Sequence, residues 1–294
     1  MSNKTVIRVA VLMTCHNRVA STIQSISLLK AQQVTAAQVD TFLVDDGSSD
    51  GTTNVIKQKF PDTNILAGDG NLYWCGGTRL AFSRATQSDY DFYLWLNDDT
   101  SLYPDALQRL MTTYHEVAAQ VGKALIVVGS TRDPISGLFS YGGWRDRRGK
   151  LGSNSWEQIP PETNQSSFCD TFNGNCVLIP REVFQRIGNL DQAFRHSMGD
   201  LDYGLRAKKS GCQIVIAPGY IGDCKNNDGA GLWSDRNLPT LLRWQKLLGP
   251  KGLPIKEWGV FTWRHKGVLW PLVWISPYIR FWVQVFVSAI RGKK

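Results

Sequence analysis

Apolar runs recur through residues 6–99, and each one ends in a cluster of acids, amides or hydroxyls. VIRVAVLMTC leads to Thr14, Asn17 and Arg18; TFLVDDGSSDGT carries Asp45, Asp46 and Ser48; NILAGDG leads to Asp69 and Asn71; DFYLWLNDD ends in Asp98 and Asp99. Helix-like segments lie between them, at 21–33, 54–60 and 78–87. Strands separated by helical patterns require crossover connections, so the alternation predicts a parallel sheet. Ligands of such sheets bind beyond the carboxyl ends of the strands, which is where the polar clusters fall. Any one cluster has an ordinary alternative, because Asp, Asn, Ser and Gly are the common residues of turns and helix N-caps. DDGSSDGT alone reads equally well either way; the clusters together predict a site.

Several classes are excluded by what the chain lacks. No GxxxxGK[ST] and no GxGxxG follows a strand, so neither a P-loop nor a dinucleotide fingerprint is present. With 43% hydrophobic and 11% aromatic residues in 294, the chain can bury a large core and is not disordered. Its six cysteines show no CxxC spacing and read as reduced thiols of a cytosolic protein. Arg8 interrupts the first apolar run and no small-residue cleavage site follows it, which predicts a strand rather than a signal peptide. Residues 131–165, rich in Gly, Ser, Asn, Arg and Pro, predict loops beside the site around a short strand at 139–141.

Two constellations bear chemistry. Asp98 and Asp99 are adjacent, and two carboxylates side by side repel unless a cation relieves them. A hard divalent ion with oxygen ligands does this, and Mg²⁺ or Mn²⁺ held through one or two carboxylates keeps positions for a ligand's phosphates. The plainer alternative is a turn cap at Asp98 with Asp99 solvated. In HSMGDLDYGLRAKKSG, Asp200 and Asp202 stand at the expected start of a helix, where the dipole favours negative charge. Either they serve only the helix terminus, or one of them faces the cleft as a general base toward an incoming hydroxyl.

Taken in order over about residues 6–225, the motifs TCHNR, VDDGSSDGT, GNLYWCGGTRLA, NDDT, NGNCVLIPREVF and GDLDYGLRAKKSG resemble the family 2 glycosyltransferases, and among them bacterial rhamnosyltransferases. The resemblance implies an α/β chain of the GT-A fold, Rossmann-like, with a mostly parallel central sheet flanked by helices over 1–225. It implies that Thr14, Asn17 and Arg18 border the nucleotide and that Asp45 or Asp46 pairs with a pyrimidine base. Asn71, Gly77 and Arg79 fall on the donor side; Asp98 faces the ribose or diphosphate, and Asp99 binds Mn²⁺ or Mg²⁺. Asp228 or Asn227 replaces the His that many relatives supply to the metal. Asp200 is the expected catalytic base, with Asn173, Gly174, His196 and Asp202 on the acceptor side. Three positions depart from the family pattern: Gly199 where Glu is frequent, Tyr73 where Gly is common, and Arg79 where Asn is common.

The activity so implied is inverting transfer from a dTDP- or UDP-sugar to a saccharide or lipid-linked saccharide in cell-surface polysaccharide assembly. A sugar nucleotidyltransferase would share the sheet, but it calls for a Gly-rich basic phosphate loop, and TCHNRVAS offers only Arg18. An inactive saccharide-binding or scaffolding relative is the other alternative; Gly199 permits it, and the intact NDD and Asp200 oppose it.

The charge of +8 is concentrated at the end of the chain, where residues 236–294 hold eleven Lys or Arg against Glu257 alone. No nucleic-acid reading motif accompanies this basicity. Residues 267–290 combine Trp270, Trp274, Tyr278, Trp282 and Phe286 near one helical line with Ser276, Arg280, Gln284 and Ser288 near another. Arg280 lies at mid-length, and Pro271 and Pro277 are expected to break the early turns. Residues 226–294 are therefore expected to form a helical, aromatic and basic extension lying on an anionic membrane surface, with packing on the domain or a partner, or spanning, as the alternatives; the family resemblance implies the cytoplasmic face of the inner membrane.

Overall fold

The structure, a computed structural model, describes residues 6–34, 37–147, 156–226 and 231–291. Its first elements alternate strictly: β1 (Ile7–Cys15), α1 (Val19–Lys30), β2 (Ala37–Asp45), α2 (Thr52–Lys59), β3 (Asn64–Ala67), α3 (Tyr73–Ala85) and β4 (Phe92–Leu96). After β5 (Ser101–Leu102) and α4 (Ala106–Val121) come β6 (Leu125–Arg132), β7 (Phe139–Tyr141), β8 (Gly143–Asp146), β9 (Trp156–Ile159), β10 (Ser167–Phe168) and β11 (Thr171–Phe172). Then follow β12 (Cys176–Pro180), α5 (Arg181–Ile187), α6 (Gly199–Lys209) and β13 (Gln213–Asp223).

The main sheet has the order β10-β13-β6-β12-β4-β1-β2-β3. β3, β2, β1 and β4 are mutually parallel, β12 is inserted antiparallel between β4 and β6, and β13 runs parallel to β6. Both faces are apolar, as expected of a sheet covered by helices on each side. Alternate residues of β1 and β4 sort onto the two faces: Val9, Val11, Met13, Leu94 and Leu96 join one core, and Ala10, Leu12, Tyr93 and Trp95 the other. The insertion of β12 places its N-terminal end beside the C-terminal end of β4, with Cys176 paired to Leu96. The loop that precedes β12 is thereby brought to the edge where Asp98 and Asp99 emerge.

The helices begin near the expected positions except α3, which starts at Tyr73, ahead of the expected 78. The segment 131–165 holds the expected strand at Phe139–Tyr141 and more besides, since β8 and β9 join β11 in a separate antiparallel sheet of order β11-β8-β9.

The chain divides into two compact units, one of 1–191 with 199–226 and one of 192–198 with 227–294. The second contains α7 (Thr240–Leu248), α8 (Ile255–His265), a 3₁₀ turn at Gly267–Leu269 and α9 (Trp270–Arg291). Its core is Leu247, Tyr278 and Phe281, packed with Trp233, Trp244 and Trp258. Against expectation, α9 runs through Pro277. Proline cannot donate to the carbonyl four residues back; that carbonyl, Val273 O, instead accepts the Ser276 hydroxyl at 2.9 Å. Pro271 sits in the first turn, where a missing N–H costs nothing. Tyr278 turns inward, its hydroxyl donating to Leu253 O at 2.8 Å, while Leu272, Ile279, Val283, Phe286 and Ile290 are exposed. No helix among the described residues is long and apolar enough to cross a membrane.

Candidate active site

The carboxyl ends of β1, β2 and β4 are braced by their own polar residues. Asn17, at φ 51, donates its N–H to Ser48 Oγ at 2.9 Å and accepts the Ser49 N–H on Oδ1 at 2.7 Å, tying the turn after β1 to the turn after β2. Asp45 accepts the Ser48 N–H at 2.9 Å and the Thr53 hydroxyl. Asp46 accepts the N–H groups of Gly70 at 2.8 Å and Leu72 at 3.2 Å on one oxygen, and that of Tyr73 at 2.8 Å on the other. Both carboxylates are buried. The turn-building alternative is thus realised for Asp45 and Asp46, whatever else they contact. Asp46 also explains the early start of α3: it collects the amides that open the helix, and it holds Tyr73 at φ 54, a backbone conformation that favours glycine.

Gly77, expected on the donor side, has a packing role. A Cβ there would lie 2.3 Å from Thr14 Cγ2, so the bare backbone lets α3 settle onto β1. Thr14 sits inside β1, its hydroxyl 3.4 Å from that of Thr78. Asn71 is exposed, its N–H bonded to Asp69 at 2.8 Å. Arg79 reaches away to Asp191 O at 3.3 Å.

The paired carboxylates after β4 have a cation, and it comes from the chain. Arg18 Nη1 lies 2.5 Å from Asp99 Oδ2 and 3.3 Å from Asp98 Oδ1. Asp98 is buried, and its Oδ2 has no hydrogen-bond partner among the described residues. Burial and the neighbouring Asp99 carboxylate push the Asp98 carboxyl up to about 7, against the pull of Arg18. Asp99 is more open, and its Oδ1 accepts the Cys224 thiol at 3.7 Å. No three His, Cys, Asp or Glu side chains among the described residues gather as a cation cage. An orphaned buried oxygen beside an exposed carboxylate nevertheless fits an ion held by one or two carboxylates and completed by a ligand's phosphates. Asp228 and Asn227 lie outside the described residues.

Asp200, at the start of α6, is clamped from the loop before β12. Its Oδ2 accepts the Gly174 N–H at 3.0 Å and its Oδ1 the Leu201 N–H at 2.8 Å. Burial raises its pKa, while these two amides and the Asn173 side chain pull it down. Asn173 is itself oriented by the Trp144 indole, which donates to its Oδ1 at 2.7 Å.

Trp74, which the motifs did not single out for this role, links the two carboxylate groups. Its indole N–H donates to Asn97 Oδ1 at 2.7 Å, one residue before Asp98, and its ring packs edge-on to Trp95 at 5.7 Å. The same ring lies against Gly174, where a Cβ would fall 2.3 Å from Trp74 Cζ2. Its signal in the sequence was the aromatic pair in GNLYWCGG, but nothing there indicated a partner at 97 or 174. Gly174→Ala should therefore displace either Trp74 or the amide that holds Asp200, with a stability loss of about 1–3 kcal/mol. Urea denaturation checks this; an unchanged midpoint would show that the contact is slack.

Two residues expected on the acceptor side have other settings in the structure. Asp202 is fully buried and faces inward, with its Oδ2 accepting Arg206 Nε at 2.8 Å, so it is a structural ion-pair partner. His196 belongs to the segment 192–198 of the second unit.

Residues 10–155 match the family model described as Glycosyl transferase family 2. The chain is similar to N-acetylglucosaminyl-diphospho-decaprenol L-rhamnosyltransferase from two strains of Mycobacterium tuberculosis, at 24% identity over 210 residues. That match covers 63% of this chain and 66% of each relative, so the chain spans just under two thirds of their length. Among solved structures, that of S. aureus TarS 1–349 covers 87% of this chain and 70% of its own, with a TM-score of 0.52 at 11% identity. The last likeness is one of fold.

Proposed function

With residues 10–155 belonging to glycosyl transferase family 2 on a GT-A fold, we propose that the chain is an inverting glycosyltransferase. It moves a sugar from a pyrimidine nucleoside-diphosphate donor, a dTDP- or UDP-sugar, to a hydroxyl of a saccharide acceptor. The observation that carries this reading is the clamp on Asp200 beside the Asp98–Asp99 pair, with Trp74 joining the two.

The acceptor oxygen attacks the anomeric carbon from the face opposite the leaving group as its proton passes to Asp200. The anomeric C–O bond breaks, and its electron pair leaves with the nucleoside diphosphate, so a single displacement inverts the centre. The Gly174 and Leu201 amides keep the Asp200 carboxylate fixed while it takes the proton. Asp99, with Asp98 behind it, would hold a Mn²⁺ or Mg²⁺ ion, which when bound offsets the charge that develops on the leaving diphosphate. Arg18 supplies a positive charge at the same edge.

The acceptor is proposed to be a saccharide on a polyprenyl diphosphate, because the mycobacterial relatives are named for such a substrate. A membrane-edge position suits it. The exposed apolar face of α9, Leu272, Ile279, Val283, Phe286 and Ile290, would lie at headgroup depth with the surrounding Lys and Arg toward anionic lipid, at the cytoplasmic face of the inner membrane.

The test is nucleoside diphosphate release from a panel of dTDP- and UDP-sugars, with and without Mn²⁺ or Mg²⁺ and with a polyprenyl-diphosphate saccharide. One donor should be consumed in a metal-dependent way, and Asp99→Ala should weaken donor binding. Metal-independent turnover would overturn the role given to Asp99. Absence of both turnover and donor-dependent thermal stabilisation would overturn the transferase.

A further inference from the structure

The Arg18 guanidinium bridges the Asp98 and Asp99 carboxylates, the pair that would hold a divalent ion. Its Nη1 contacts an oxygen of each carboxylate, at 3.3 Å and 2.5 Å. The remaining Asp98 oxygen, Oδ2, is buried without a partner among the described residues, so one arginine leaves the pair incompletely satisfied. Apart from these two side-chain contacts, Arg18 is anchored among the described residues through its backbone, whose carbonyl accepts the Thr22 N–H at 3.0 Å and hydroxyl at 2.9 Å at the start of α1. Its side chain is 47% exposed, free to swing outward without opening the core. Asp98, by contrast, is 8% exposed and stays where β4 puts it.

The charges decide what can bind. With both carboxyls ionised, the two carboxylates and one guanidinium leave a single net negative charge. Bringing a divalent ion to the same oxygens with Arg18 in place puts an excess of positive charge within a few ångströms, a repulsion that persists at the intermediate effective dielectric of a protein surface. Bringing a nucleoside diphosphate alone leaves it facing the two aspartates with one arginine between. When both arrive, the ion takes the carboxylates, and the guanidinium turns to the phosphate oxygens, for which its planar fork is well suited.

We propose that Arg18 is an internal counter-cation that holds the divalent ion's place in the empty site and yields it only when a nucleoside diphosphate arrives. Ion and nucleotide then bind as a coupled pair. The proposal rests on the reading of Asp98 and Asp99 as the ion's carboxylates. Coupling between two ligands is reciprocal and commonly worth about 5- to 150-fold, so Arg18 should set how strongly each ligand improves the other's affinity.

The experiment is a Mn²⁺ titration followed by the electron paramagnetic resonance of the free ion, on wild type, Arg18→Gln, Arg18→Lys and the double variant Arg18→Gln/Asp99→Ala. Each is titrated with Mn²⁺ alone and with Mn²⁺ plus UDP or dTDP, after a thermal melt establishes that the variants are folded. Mn²⁺ alone should bind Arg18→Gln about tenfold more tightly than wild type. The gain should vanish in the double variant, and Arg18→Lys should bind as weakly as wild type because a tethered charge remains. With nucleotide present, the advantage of Arg18→Gln should shrink or reverse. Equal Mn²⁺ affinity of wild type and Arg18→Gln without nucleotide, where wild type binds Mn²⁺ with nucleotide, overturns the proposal and leaves the ion site standing. A gain that survives Asp99→Ala also overturns it. If no protein binds Mn²⁺ under either condition, the ion site and this proposal both fall.

Discussion

Asp200→Asn should lower turnover by about 10²- to 10⁴-fold, the usual worth of a positioned general base, with nucleoside diphosphate affinity unchanged. Asparagine preserves the shape and can still accept one of the two N–H bonds from Gly174 and Leu201, so the loss falls on proton transfer and not on folding. Burial raises the Asp200 pKa, which has two consequences of opposite sign. For catalysis, the base is charged only above its raised pKa, so the acid limb of the pH–rate profile should lie above the ordinary carboxylate range and disappear in the variant. For stability, a carboxyl whose folded pKa exceeds its unfolded value contributes fully below the unfolded value and loses that contribution as pH rises through the folded one. At neutral pH the charged group is therefore a burden, and Asp200→Asn should melt no lower than wild type. A variant that loses activity and melting temperature together would mark Asp200 as a helix-start residue and return the base role to another group.

Asp202→Ala should do the reverse: destabilise the chain by about 3–5 kcal/mol, the cost of stranding one member of a buried ion pair. Asp202 is fully buried, and Arg206 holds more than its carboxylate, donating also to Ile187 O at 2.8 Å and Asn189 O at 3.0 Å. The pair thus ties α6 to the end of α5, and without Asp202 the guanidinium is left half-partnered in a low-dielectric setting. Urea denaturation reads the loss directly. Arg206→Met added to Asp202→Ala should recover part of it, because replacing both charges removes the stranded one. An acceptor-contacting Asp202 predicts the opposite, an unchanged midpoint with reduced turnover, and that result would reverse the assignment made from burial.

The two aspartates of GDLDYGLR show where sequence reading stops. They stand two residues apart on one helix and have the same chemistry. Successive positions on a helix point in directions about 200° apart for a spacing of two, so one can face the loop at Gly174 while the other faces Arg206, but the pattern alone does not say which is which. Only the motif resemblance favoured Asp200. The same limit holds for DDGSSDGT, where the amides that Asp46 accepts come from residues 70–73, beyond β3. It holds as well for α3: Gly76, Gly77 and Tyr73 are poor helix formers, and the helix begins among them because Asp46 receives its first amides and Thr14 leaves room. Pro277 was expected to break an early turn of the tail helix, and a hydroxyl one residue away satisfies the carbonyl it strands.

What the sequence determined by itself is the order of strands and helices over residues 6–99, the edge of the sheet at which polar residues collect, and the family pattern they form, because each depends on local periodicity, turn chemistry or motif order. What only the tertiary structure decided is which groups meet. The carboxylates of Asp98 and Asp99 find their counter-charge in Arg18, some eighty positions earlier; Asp200 finds its clamp in Gly174; Trp74 finds Asn97. Sheet order brings these partners together: β4 lies beside β1 on one side and beside β12 on the other. No local rule encodes that adjacency, since it follows from burying two apolar faces at once.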